Sequence, residues 1–477
     1  MSTKVCVIGA GPGGYVAAIR AAQLGATVTL VEKDNVGGTC LNNGCIPSKT
    51  LKTTADLLEK FHHARNFGIS ISGTITPDIK VIMERKNQII QNQRRGIHGL
   101  LKHQQIALVD GDGYIEEPGI VKVRQADGNM LTLKWDKLIL ALGSTPLEIS
   151  AFPFDGKRII SSTDALSLSE IPESMVIVGG GVIGCEFACI LSALGTDITL
   201  VEALPRLLPL PSVDESCSKV LEREMKKRKI KFFVNKTVES IDMSNEKLRV
   251  VAGPSSLISS PSEKELKPII IDTDKVLVCI GRSPVSIGSG LDKLNIQTDE
   301  KGWVLADEQM QTNVPDVYAI GDMLGPSKIM LAHVASAEGR VAAENAMGLG
   351  TKMNYRAVPG AIFTSPEVAT VGLSEAQAGE QGISVTSESS LFRTTGKAQA
   401  TGEIAGHAKI VSDADTGRVL GLHIIGPHAT DLIAEGTLAV QANLKVEDLA
   451  NTIHAHPTLS EIICETALKI MGKPIHG

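Results

Sequence analysis

Two stretches of the chain, KVCVIGAGPGGYVAAIRAAQLGATVTLVEK at residues 4–33 and MVIVGGGVIGCEFACILSALGTDITLVEA at 175–203, are one unit written twice. Gly9, Gly11 and Gly14 recur as Gly179, Gly181 and Gly184, Gly25 as Gly195, and Glu32 as Glu202, all at a constant spacing of 170 positions. Each copy reads as an apolar strand, a glycine turn, a helix of small residues closed by glycine, and a second apolar strand ending in glutamate. A G-x-G-x-x-G between strand and helix lets the backbone approach a pyrophosphate at the helix N-terminus. The acid closing the second strand accepts hydrogen bonds from a ribose. Alone, such a motif is no more than a tight turn. Here both copies carry the strand, the helix and the acid 18 residues past the last glycine. The chain is therefore expected to be α/β, with two Rossmann-like units each taking a dinucleotide, an arrangement suited to passing a hydride between two cofactors.

The 477 residues leave room for about three domains, so the two units do not exhaust the fold. No apolar run approaches the ~18 residues of a membrane span. The opening MSTKVCVIGAG enters a strand almost at once, leaving no room for a targeting segment. We expect a protein of the cytoplasm, or of the mitochondrial matrix if a transit peptide has been removed, without a membrane partner. A net charge of −6 and 3% aromatic residues argue against a nucleic-acid partner, which calls for a basic stripe or stacking platforms.

Of the eight cysteines, most sit inside apolar strand or helix patterns, where cysteine behaves as a small hydrophobe. Cys40 and Cys45 instead lie in GGTCLNNGCIPSK, which reads as a Gly/Asn-rich loop followed by a helix with Pro47 in its first turn. A structural staple, a metal site and a redox pair would each place two thiols there. No second loop pair and no Cys/His set at finger spacing accompany them, which counts against zinc, and no metal is expected. Cys45 falls at a helix N-terminus, where the dipole favours a thiolate, and Lys49 follows one turn later on the same side. Beside two dinucleotide units, redox chemistry leads, with Lys49 as an ordinary exposed helix residue the plainer alternative.

Glu202 favours NAD over NADP, because a carboxylate repels a 2′-phosphate. Arg206 weakens this preference slightly, since a nearby guanidinium can accept that phosphate; it reads better as a solvated loop charge, and NAD is the expected cofactor.

Four further segments widen the picture: VLVCIGRSP, TNVPDVYAIGD, FTSPEVATVGLSE and HAHPTLSE. With GGTCLNNGCIPSK they resemble the flavin disulfide reductases, in order, from residue 4 to residue 465. The resemblance implies an FAD domain over 1–148 completed by 282–350, an NAD domain over 149–281, and a C-terminal α+β dimerisation domain over 351–477. It assigns FAD to Gly9, Gly11, Gly14, Glu32, Lys49, Gly113, Gly143, Asp322 and Ala332, and NAD to Gly179, Gly181, Gly184, Glu202 and Gly281. It also implies a reversible Cys40–Cys45 disulfide, a Lys49–Glu186 pair beside the flavin, and a homodimer in which His456 and Glu461 serve the partner's site. CIPSK, Glu202 and HAHPTLSE point to the members that oxidise dihydrolipoamide on the lipoyl domains of 2-oxo acid dehydrogenase acyltransferases or the glycine cleavage carrier. Members acting on glutathione, mercuric ion or coenzyme A disulfides share the loop and are the alternative. A non-enzymatic NAD-binding scaffold is a remote one.

Two acids have plainer readings. Thr458 to Glu461 spells a T-x-x-E capping box, which would occupy Glu461 with backbone N–H groups; the resemblance has it orient His456 as a general base, alongside the capping motif. Glu186 could simply complement the dipole in the first turn of its helix. His454 reads as structural. HAKIVSDADTGRVLGLHIIG reads as a hairpin turning at Asp415-Thr416-Gly417, and GPSSLISSPSEKELKP as a surface loop.

Overall fold

The computed structural model describes residues 2–476 and separates into two compact units. The first gathers the N-terminal segment up to Leu51 with Asp78–Leu147 and Gly281–Asn354; the second gathers Lys52–Pro77, Glu148–Ile280 and the chain from Tyr355 onward.

In the first unit, β1 (Lys4–Ile8) pairs in parallel with β2 (Thr27–Glu32) on one side and with Lys137–Leu140 on the other. Ala107–Asp110 and Val317–Ala319 complete the five-stranded parallel sheet. Val7, Leu30, Leu138 and Ile139 are fully buried, as the unbroken apolar runs require of strands covered on both faces. Helix α1 (Pro12–Gln23) crosses over between β1 and β2. Its close seating depends on glycine: a Cβ on Gly14 would lie 1.8 Å from the Gly9 carbonyl oxygen, and Gly9 itself turns at φ 100°.

The second unit repeats this construction. Ser174–Val178 and Asp197–Val201 pair in parallel at the centre of a five-stranded sheet, joined by the helix Val182–Leu194. The sequence repeat is also a register repeat: Lys4 faces Thr27, and Ser174 faces Asp197, 170 positions on. A Cβ on Gly184 would meet the Gly179 oxygen at 1.9 Å, the same clash avoided in the same way. The stretch read as a surface loop from residue 253 is more ordered than expected. A strand runs on to Pro254, and Ser262 with Glu265 forms a capping box that starts a short helix, Glu263–Leu266.

The C-terminal part of this unit is an antiparallel five-stranded sheet packed against the helices Ala429–Ala442 and Glu461–Ile470. Its core is built from Phe392, Ile410, Leu422, Ile424, Ile433 and Ile462. The expected hairpin is present as His407–Asp413 and Val419–Gly426. Asp413 accepts the Asp415 and Thr416 N–H groups at 2.9 and 2.7 Å, and Gly417 takes φ 71°, which completes the turn.

Within this unit the helix Glu215–Lys227 meets the antiparallel sheet through buried polar groups. Asp214 caps the helix and binds Lys409 at 2.9 Å; Lys409 also reaches Glu375 at 2.6 Å. The Ser216 hydroxyl donates to Asp214 at 2.6 Å and lies 2.9 Å from Nε2 of His407. Burial, helped by Lys409 and opposed by Asp214, holds His407 down at about 4. His407 therefore stays neutral in the fold while the unfolded chain takes up a proton near 6.5, so stability falls as pH drops from about 6.5 toward 4. Thermal unfolding followed between pH 7 and 4 should show this loss, at most about 3 kcal/mol, and His407→Gln should flatten that window.

Candidate active site

The cysteine segment is not a loop. Gly37 turns at φ 90°, and Cys40 sits on a short helix, α2 (Gly38–Asn43). Asn42 secures it by donating to the carbonyls of Val36 and Gly38 at 3.2 and 2.8 Å, and it accepts from Arg94 at 2.6 Å. Glycine and asparagine here supply a left-handed turn and a side-chain tie, rather than the irregular chain their composition suggests. Gly44 then breaks the helix, and α3 (Cys45–His62) begins on Cys45 itself.

Cys40 and Cys45 are half-buried thiols. The Cys40 thiol is hydrogen-bonded to the Cys45 sulfur. That bond, reinforced by burial and by the Cys45 charge, pushes Cys40 far above the ordinary thiol range, against the pull of Lys49. The proton thus stays on Cys40, and the sulfur at the helix N-terminus is the one placed to carry negative charge. Tyr15, whose hydroxyl is pushed up by burial and then by the nearby Cys40, was not anticipated.

The glycine turns fit a dinucleotide in both units. Gly11 and Gly181 cap their helices with no side-chain cap and no acid in the first turn, so the leading N–H groups are offered to an anion. A Cβ on Gly181 would meet nothing within 4 Å, and one on Gly11 only the Gly38 Cα at 3.9 Å, so both leave open space for a ligand. Glu32 accepts the Ala10 and Asp34 N–H groups at 2.7 and 2.9 Å, and Glu202 accepts those of Gly180 and Leu204 at 2.5 and 2.8 Å. The two carboxylates are anchored identically, one repeat apart. Burial pulls the Glu32 carboxyl upward against the N–H bonds that favour its charged form.

Other expected cofactor residues take distinct places. Gly113 packs on Val31, where a Cβ would lie 2.9 Å from Cγ1; Gly143 turns at φ 75° in open space. Ala332 opens the helix Ala332–Ala346 without a side-chain cap. Asp322 accepts the Ser144 hydroxyl at 2.7 Å. Gly281, at φ 141°, falls with the first unit, where its carbonyl accepts the Leu147 N–H at 3.0 Å.

Arg206 is a half-buried loop cation whose donors are already engaged. Its guanidinium donates to the carbonyls of Leu208, Leu210 and Val213 and to the Ser218 hydroxyl, at 2.5–3.0 Å. It staples the loop that follows Glu202. Glu202→Ser is expected to raise the NADP-to-NAD ratio of kcat/KM by about tenfold or more, since like charges in contact cost several kcal/mol. Arg206→Gln should leave that ratio unchanged while lowering stability by about 1–3 kcal/mol. A selective loss of NADP use in Arg206→Gln would show that the arginine swings out.

In the second unit Glu461 does two things at once. Its Oε1 lies 2.8 Å from Nδ1 of His456, and its Oε2 accepts the Thr458 N–H at 2.8 Å. The capping box is only half made, because the Thr458 hydroxyl donates to the Ala455 carbonyl and the helix starts only after Ser460, which gives it no side-chain cap. Burial raises the Glu461 carboxyl, but the His456 and Thr458 bonds outweigh it and hold the group below its usual range. His454 is satisfied on both nitrogens, by the Thr452 carbonyl and by Glu435, each at 2.9 Å, as a structural histidine should be. Glu186 lies beyond the first turn of its helix, so the dipole reading does not hold; it is buried and accepts the Phe363 N–H at 2.9 Å.

Residues 3–339 match the pyridine nucleotide-disulphide oxidoreductases, and residues 358–467 match the dimerisation domain of the same proteins. The chain belongs to this family. Over its whole length it is similar to proteins named dihydrolipoyl dehydrogenase: 42% identical to that of Chlamydia muridarum, covering 98% of this chain and 97% of the relative. The Geobacillus stearothermophilus protein of that name is 39% identical, covering 100% and 98%. Among solved structures, LpdA from Mycobacterium tuberculosis superposes with a TM-score of 0.89 at 28% identity, covering 98% of this chain and all of the other.

Proposed function

We propose that the chain oxidises protein-bound dihydrolipoamide to lipoamide and reduces NAD, through Cys40, Cys45 and FAD. The observation that carries the substrate is the full-length likeness to dihydrolipoyl dehydrogenases at about 40% identity. FAD belongs with Gly9, Gly11, Gly14, Glu32, Lys49, Gly113, Gly143, Asp322 and Ala332, and NAD with Gly179, Gly181, Gly184, Glu202 and Gly281. Bound FAD supplies a two-electron acceptor, and NAD takes the hydride.

The protein's own residues do the rest. With Nδ1 donating to Glu461, His456 offers Nε2 as the base that removes a proton from a substrate thiol. In the oxidised pair, that thiolate attacks the Cys40 sulfur; a mixed disulfide forms, and Cys45 leaves as a thiolate at the head of α3. The second substrate thiol closes the lipoyl ring and releases Cys40, so the dithiol loses two electrons and the cysteine pair gains them. Lys49, one turn past Cys45 on α3, is placed to favour negative charge at this step.

The family's dimerisation domain accounts for the C-terminal sheet, and the protein works as a homodimer. His456, 76% exposed in the single chain, serves the partner's sulfur pair. No helix among the described residues is long and apolar enough to cross a membrane. We place the protein where lipoylated complexes reside, in cytoplasm or mitochondrial matrix. Turnover of dihydrolipoamide with NAD or NADP, and of glutathione disulfide, mercuric ion and coenzyme A disulfide each with NADH or NADPH, tests this reading. It predicts dihydrolipoamide with NAD as the preferred pair, and a preference for another substrate overturns it.

A further inference from the structure

The chain enters the first unit's two-stranded ribbon at Ser144–Pro146 and returns to it at Arg282–Pro284. At the head of that ribbon lie three polar side chains that the disulfide chemistry above leaves unexplained as a group. The Arg282 Nε donates to the Ser144 hydroxyl at 2.5 Å, and Nη2 donates to the Ser144 carbonyl at 2.7 Å. The hydroxyl, with only one proton to give, spends it on Oδ2 of Asp322 at 2.7 Å, and Arg282 Nε is itself 3.5 Å from that oxygen. Ser144 is buried, and the Arg282 side chain is 16% exposed.

A guanidinium gripping one serine through two nitrogens cannot rotate freely, and the serine has no alternative acceptor direction without breaking the chain of bonds. We infer that Arg282 is a positioning residue for the flavin site: through Ser144 it fixes the Asp322 carboxylate and keeps one permanent positive charge beside it. The inference rests on the reading of Asp322 as an FAD residue and adds two residues to that site. Burial pulls the Arg282 group down from its ordinary value, while the charges of Asp322 and then Cys45 pull it back up, so the same cation acts on the redox sulfur. A desolvated cation in reach of both groups favours the reduced, more negative state of the site over the oxidised one.

The test uses protein stripped of FAD and titrated with it, together with the two-electron midpoint potential of the refilled protein. Arg282→Met is expected to weaken FAD binding about tenfold and to lower the potential, about 30 mV for each tenfold difference between reduced and oxidised states. Arg282→Lys keeps the charge without the fork, and should hold the native potential while losing affinity. Ser144→Ala, which removes only the bridge, should loosen FAD about threefold and leave the potential in place. If Arg282→Met does not fold, Arg282→Lys and Ser144→Ala decide the matter. An unmoved potential in Arg282→Met, or FAD bound as tightly by Ser144→Ala as by the native chain, overturns the inference. A native chain that takes up no FAD instead overturns the proposed function.

Discussion

Cys40→Ser is expected to cut dihydrolipoamide turnover by roughly 10³-fold or more, the scale seen when an attacked or attacking atom is removed from a catalytic unit. The reason lies in the division of labour between the two sulfurs. The Cys40 thiol donates to Cys45, and Cys45 begins α3, so the charge belongs at 45 and the bond to be opened is reached at 40. Serine there preserves a donor of nearly the same size, so α2 and its Asn42 ties should survive. The glycine turn and Glu202 of the second nucleotide unit, proposed above for NAD, lie on other elements, and NADH binding should be unchanged. Stopped-flow mixing with dihydrolipoamide, beside an NADH titration, separates the two effects. Retention of more than about a tenth of native turnover would mean that the substrate does not pass through Cys40.

His456→Gln should slow the same step by about 10²- to 10⁴-fold, the usual worth of a positioned general base. Glutamine can still donate to Glu461 but offers no basic nitrogen, so folding should be preserved while the chemistry is lost. Glu461→Gln should cost less, since the imidazole remains but its tautomer and direction are no longer imposed. The Glu461 carboxyl is held below its usual range, so its contribution is present above the unfolded value near 4.5 and is lost as pH falls through the folded one. The exposure of His456 gives this prediction a second arm. If the base is supplied across a dimer, subunit exchange between Cys40→Ser and His456→Gln proteins builds one intact site in each mixed dimer. About a quarter of native activity should then return from two inactive proteins. No recovery, with exchange demonstrated, would place base and sulfurs in one subunit.

The paired nucleotide units were legible because their constraint is local and severe. Gly14 and Gly184 admit no side chain against the carbonyl oxygens of Gly9 and Gly179, so a short glycine pattern fixes strand, turn and helix together. The His456–Glu461 contact was legible through the family's HAHPTLSE segment, and a capping role beside it through T-x-x-E; the missing half of the box was not, because Thr458 prefers the Ala455 carbonyl that the fold brings to it. Arg206 shows what pattern alone leaves open. A cation four residues past Glu202 suits a loop better than a phosphate, and the carbonyls of Leu208, Leu210 and Val213 show how the loop holds it. Arg282 and Ser144 lie 138 positions apart, and nothing in either neighbourhood announces their bond. The helix carrying Cys40 was missed for a similar reason, since Gly37 and Asn42 build it from residues that usually end helices.

The central claim is that sulfurs 40 and 45 cycle between dithiol and disulfide in contact with a bound flavin. An anaerobic titration of the purified, oxidised protein with a measured reductant, with alkylation and mass mapping of the thiols, addresses it most directly. The protein is expected to be yellow, to take up reductant, to bleach or shift in the visible, and to gain two alkylated positions, Cys40 and Cys45. A protein without flavin absorbance, or one in which both positions are alkylated equally before and after reduction, would contradict it.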